Sequence, residues 1–168
     1  SVDDLPVNFR GIVAQYSEGR QAKVLNEFAE TRMTEELEQA QIARQFGWLS
    51  PTVAVRSIST ILAGTSLETH HRFLREAETL RLEFVQALNK VHAEKLDYKL
   101  DMNRNASEEA ADKAVVGADN WAILVEFDFK PEAGSTRISN ALIYFIQLLL
   151  WMGLTALLLQ AAVRRLNP

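Results

Sequence analysis

The residues of this chain best suited to chemistry are three histidines and a dense set of carboxylates. His70 and His71 are adjacent, and His92 follows several helical turns later. A zinc site needs three or four converging ligands, with a helical pair normally at i and i+4. Adjacent residues on a helix point about 100° apart, so His70 and His71 cannot readily share one ion. Glu68 or Glu76 would have to complete such a site through space alone. The expectation is therefore no metal site and an exposed or hydrogen-bonded histidine pair. No G-x-S-x-G elbow, phosphate-binding glycine loop or zincin motif is present. With no cysteine either, thiolate chemistry and disulfides are excluded. The many Glu and Asp residues read as solvated helix faces. No catalytic residue, cofactor-binding residue or cofactor is expected, and the chain is not read as an enzyme.

The element around which these residues must be arranged lies at the end of the chain. Ala141 to Val163 is a run of 23 residues without one charged side chain. At ~1.5 Å per residue such a helix is about 35 Å long, enough to cross a hydrocarbon core of ~30 Å. A body this small rarely encloses a helix that is apolar on every side, so a transmembrane helix is expected. Gly153, Ala156 and Gln160 share one face of it, with Gln147 and Thr155 on an adjoining one. Small residues and buried amides in a span favour close packing against other membrane helices.

All 22 acidic residues and 16 of the 18 basic ones precede the run, which leaves the body at −6. That charge does not invite nucleic acid, nor a body lying flat on anionic lipid. Arg164 and Arg165 follow the span directly. Positive flanks stay cytoplasmic, so the body is expected outside the cytoplasm of a cell (inner) membrane. The organisation is then an extracytoplasmic helical domain over 1–140, a transmembrane helix over 141–163 and a cytoplasmic flank over 164–168. Because the chain begins at Ser1, without Met, it is read as a fragment, with room for another span upstream.

Within the body, Ser1 to Gly19 is short and mixed, interrupted by Pro6 and Gly11. From Arg20 to Phe46, Ala22, Leu25, Ala29, Met33, Leu37, Ala40 and Ala43 recur at helical steps and predict a helix with a thin, alanine-rich seam. Ser50 and Pro51 start a short apolar helix, with the serine oxygen as cap, and Gly64 ends it in a left-handed conformation. This helix suits either the body's core or the membrane surface. If a span precedes Ser1, an out-and-back hairpin sets it distal to the membrane. Thr65 and Glu68 have capping-box spacing, and Leu67, Leu74, Ala77, Phe84, Leu88 and Val91 carry a long helix from Ser66 to about Leu96. Asp97 to Asp119 reads as loop with a helical turn behind Ser107. Trp121 to Lys130 alternates with strand period, Ile123, Val125, Phe127 and Phe129 on one side, and Pro131 closes it; with no second strand in view it reads as an extended arm, an edge pairing or part of a dimer. Glu132 to Asn140 links it to the span. Trp48 and Trp121 sit at segment boundaries, as core anchors or interface residues. The fold class is mainly α: a long antiparallel helical hairpin with a short apolar helix at its turn, one extended segment and a C-terminal transmembrane helix.

Three runs carry a resemblance: F-G-W-L-S-P at Phe46–Pro51, L-A-G-T at Leu62–Thr65, and H-H-R-F at His70–Phe73. With Asp119-Asn120-Trp121, the Pro131 region and the closing span, they resemble one group of ABC transporter permeases of the ABC-2 type. That group carries a large extracytoplasmic domain of unknown function between its first two membrane helices. The likeness runs from about Phe46 onward, and the first 45 residues match it only in helical character. It implies a permease subunit partnered by membrane lipid, a cytoplasmic ATPase subunit and a second permease subunit, with no catalytic residue on this chain. A membrane-tethered sensor module and an accessory subunit of a membrane complex are the competing classes.

Overall fold

A computed structural model describes residues 8–96, 98–123 and 126–166. Among these residues six α-helices are formed: α1 (Phe9–Gly47), α2 (Pro51–Ala63), α3 (Leu67–Lys95), α4 (Tyr98–Met102), α5 (Glu108–Lys113) and α6 (Gly134–Leu166), with a 3₁₀ segment at Ala118–Ile123. Among the described residues there is no strand. Contacts divide the chain into two compact units, Ser1–Thr31 with Leu74–Asp128, and Arg32–Phe73 with Phe129–Pro168.

In the first unit, the early part of α1 runs antiparallel to the later part of α3. Rising positions on one meet falling positions on the other: Asn8 N–H donates to Ala93 O (3.0 Å), Gln86 Nε2 to Gln15 O (2.9 Å), and Arg81 pairs with Glu18 (2.7 Å). Helix α1 begins at Phe9, well before the expected Arg20. The buried Asn8 is the reason. Its Oδ1 accepts from the backbone N–H groups of Arg10 (2.9 Å) and Gly11 (3.4 Å), two of the otherwise orphaned donors of a helix start. Gly11 is no interruption either, because it lets α1 touch the backbone of Ala93. Helix α4 brings in Asp101, whose fully enclosed carboxylate meets Arg10 Nε at 3.1 Å and Arg104 at 3.5 Å. Helix α5 starts as expected, Ser107 Oγ accepting from Ala110 N–H (3.1 Å).

Among the described residues of the segment expected to be extended, Trp121–Lys130, none is in a strand. Trp121 to Ile123 belong to the 3₁₀ segment, Leu124 and Val125 lie outside the described residues, and 126–133 have no regular secondary structure. An alternating segment without a neighbour to pair with has no ladder to join. In the second unit its aromatic side packs on α3 instead: Phe129 meets Phe73 edge-on at 5.4 Å, under the Arg72 guanidinium. Arg72 also donates to Lys130 O (2.8 Å).

The second unit holds the end of α1, α2, the first turns of α3, and α6. The turn between α1 and α3 is occupied by α2, as expected, and it lies against α6 rather than at an end of the body remote from it. Helix α2 packs along the first half of α6, burying Ala54 and Ile58 on one side and Ala141 and Gln147 on the other. An apolar helix next to a longer apolar helix buries both faces, which the hairpin geometry alone did not reveal. Ser50 sits at the start of α2, yet its hydroxyl makes no capping bond. The cap of α3 is Ser66, not Thr65, its Oγ accepting from Thr69 N–H (3.3 Å). The expected link at Glu132–Asn140 is largely helical, because α6 begins at Gly134. Helix α6 is long and apolar enough to cross a membrane.

Gly64 closes α2 with φ +70° and ψ +28°, and the N–H groups of Gly64 and Thr65 reach Ile61 O (3.1 Å) and Thr60 O (2.9 Å). A Cβ here would also stand 3.1 Å from Arg137 Cζ. Gly64→Val is expected to destabilise the chain by roughly 1 kcal/mol or more in denaturant unfolding, since a β-branched residue resists positive φ. Unchanged stability would contradict the left-handed cap.

Candidate functional site

The site with the most unusual chemistry is the seam where α2 and the preceding turn meet α6. Glutamine at position 147 is a polar side chain inside an apolar run, and it is 2% exposed. Its Nε2 donates to Gly47 O (2.9 Å) and Ser50 O (3.4 Å). One turn on, Trp151 Nε1 donates to Trp48 O (3.1 Å). Carbonyls left over where α1 ends are thus satisfied by side chains of α6. Gly47 is buried, and a Cβ on it would lie 2.5 Å from Val53 Cγ1, so the turn is tight for steric reasons. At the other end of α2, Arg137 donates from Nη1 to Leu62 O (3.2 Å) and from Nε to Glu132 O (3.0 Å). A cation there complements the negative end of the helix dipole.

Beside the seam lies a groove of about 580 Å³, lined by Ala43, Arg44, Arg56, Thr60, Glu68 and Tyr144 among others. Its floor is apolar and its rim carries both charge signs. Arg44 Nη2 meets Glu68 Oε1 at 2.5 Å, which ties the end of α1 to the start of α3. Burial opposes ionisation of Glu68, but its own backbone N–H and Arg44 outweigh this and hold its carboxyl below the usual range. Such a lining offers van der Waals contact with polar rim groups.

The histidines adjoin but serve different surroundings. His70 is exposed on the groove's rim, while His71 is buried and bonded through Nε2 to Glu36 Oε2 (2.9 Å). Their ring centroids are 6.3 Å apart. His92 belongs to the other unit, beside Leu88, Asn89 and Trp121. Glu68 is taken by Arg44, and Glu76 is exposed. Among the described residues no three His, Cys, Asp or Glu side chains gather. Of the two readings of the boundary tryptophans, core anchor or interface residue, the first does not hold: Trp48 is 44% exposed and Trp121 62%. Sequence reasoning flagged Gln147 as an amide in search of a partner, but not that the partner is the chain's own turn. Arg137 carried no signal at all.

The His71 bond, then Arg32, holds the Glu36 carboxyl below its ordinary value. A carboxyl lowered on folding contributes stability that is present above its unfolded pKa and lost as pH falls through the folded one. Glu78, held down by Arg81, and Glu68 act in the same direction. Stability is therefore expected to fall as pH drops below about 4.5, and Glu36→Gln to narrow that fall slightly, the carboxyl lying at the solvent edge. Thermal unfolding of both forms across acid pH checks this; identical profiles would remove Glu36 from the account.

A family model described as a domain of unknown function (DUF3526) matches residues 1–130. The chain belongs to the DUF3526 family. The DUF3526 match takes in all of α1 and the whole of the first 45 residues, where the resemblance was weakest, and stops before α6. No curated protein and no solved structure matches the chain significantly.

Proposed function

We propose that the chain is the extracytoplasmic domain and adjoining membrane helix of an ABC-type transporter permease subunit, of the ABC-2 kind. It moves substrate across the membrane with a separate cytoplasmic ATPase. The observation that carries this reading is the seam. The α-helical body is hydrogen-bonded onto the first half of a helix that continues as an uncharged run to Val163. A displacement of that helix, driven from the far side of the membrane, would carry the α2 turn with it. Arg164 and Arg165 in the last turn of α6 favour a cytoplasmic end. Among the described residues nothing outside the helix's own backbone lies within 4 Å of a Cβ built on Gly153, and Ala156 and Gln160 are exposed. That uncovered small-residue face suits a second span or a second permease subunit.

The test is isolation of the intact protein from its native membrane in mild detergent. Co-purification of a stoichiometric ATP-binding subunit is expected. A signalling output domain continuous with the chain, or an intact complex without any ATPase, would overturn the reading in favour of a sensor or an accessory subunit.

A further inference from the structure

If α6 spans the membrane, the depth of the α1–α2 turn is no longer free. Gln147 binds the carbonyls of Gly47 and Ser50, and Trp151 that of Trp48, so the turn lies level with positions 147–151 of α6. Arg164 and Arg165 mark one boundary of the uncharged run. Counting back a ~30 Å core at ~1.5 Å per residue reaches about residue 144. Gln147 and Trp151 then stand roughly 5 and 10 Å inside the hydrocarbon edge.

The turn's chemistry suits that depth. From Gln45 to Val55 there is no charged residue. Its outward side chains are apolar and open: Phe46 is 70% exposed, Leu49 76% and Trp48 44%. Lipid tolerates non-helical backbone only where its polar groups are satisfied by protein. Here the N–H groups of Trp48, Leu49 and Ser50 return to the carbonyls of Gln45, Phe46 and Gly47, at 3.4, 3.1 and 3.0 Å. Trp48 O and Ser50 O are taken by α6. Water-facing turns do not need this closure, and they rarely present Phe, Trp and Leu side by side.

We infer that the Phe46–Ser50 turn is a membrane wedge. It enters the leaflet on the body's side, and its occupant is lipid acyl chain. The inference rests on α6 being a span and adds that the body is embedded rather than merely tethered. Phe46, Trp48 and Leu49 contact lipid; Gln147 and Trp151 keep the carbonyls of Gly47, Trp48 and Ser50 from facing it unpaired.

The chain has no cysteine, so single spin labels report depth without further engineering. The full chain would carry Leu49→Cys, Leu158→Cys or Glu35→Cys in phosphatidylcholine–phosphatidylglycerol vesicles. Accessibility of each nitroxide to oxygen and to a water-soluble nickel chelate would be measured by power saturation. Oxygen is expected to dominate at Leu158 and Leu49, which lie at similar depths from opposite edges at ~1.5 Å per residue, and nickel at Glu35. A label at Leu49 that follows Glu35 while Leu158 stays oxygen-dominated overturns the wedge and leaves the span intact. Nickel dominance at Leu158 overturns the span and the wedge with it. Leu49 is largely exposed, so its replacement leaves the packing in place.

Discussion

Gly11→Ala is expected to destabilise the chain by about 3 kcal/mol, the upper part of the usual overpacking range. A Cβ at this position would lie 2.6 Å from the backbone nitrogen of Ala93 and 2.8 Å from its Cα. Backbone cannot rotate away as a side chain can, so α1 and α3 must separate there. The separation also strains the Asn8 N–H bond to Ala93 O and the cap that Asn8 provides. Gly19→Ala is the counterpart. Its nearest neighbour would be Gln86 Nε2 at 3.5 Å, an ordinary contact. Inside a helix, alanine there is expected to stabilise by about 0.5–1 kcal/mol. Denaturant unfolding of the full chain in detergent measures both. Equal responses of the two variants would contradict the close crossing.

The second large effect is expected from Gln147→Leu. Removing the amide leaves Gly47 O without its side-chain donor and takes one donor from Ser50 O. Gly47 O keeps the N–H of Ser50 and Ser50 O that of Val53, so the loss is that of the amide's own two bonds, about 0.5–1.5 kcal/mol each. At 1.4 kcal/mol per factor of ten, opening of the turn should rise roughly 10- to 100-fold. Hydrogen exchange at the amides of Trp48, Leu49 and Ser50 reads that opening locally. Gln160→Leu, at an exposed position on the same helix, should leave those amides unchanged. Exchange that responds equally to both substitutions would show that the seam does not depend on Gln147.

The secondary structure was legible where periodicity and capping agree. The Ala and Leu spacing of α1 and α3, the Ser107 start and the Gly64 stop are all local signals, and local hydrogen bonds realise them. The start of α1 was hidden because Pro6 and Gly11 look like punctuation. Only the approach of Ala93, far along the chain, shows that Gly11 is a contact point. Trp121–Lys130 alternates like a strand, but a strand needs a partner, and the alternation instead serves packing of Phe129 on Phe73. The seam was half legible. Gln147 within an apolar run announces a bond; which carbonyl receives it depends on how α2 folds back along α6. The groove with Arg44 and Glu68 joins residues 24 positions apart on two helices, a pairing no spacing rule encodes.

The most direct test of the central claim is which side of the membrane each end of the chain occupies. Single cysteines would replace Asn105, exposed in the body, and Leu166, the last residue of α6. Intact cells expressing the full protein are treated with a membrane-impermeant maleimide. Labelling of Asn105→Cys, with Leu166→Cys labelled only after the cells are opened, is the predicted result. Equal labelling of both in intact cells would mean that α6 does not cross the membrane, and labelling of Leu166→Cys alone would place the body in the cytoplasm.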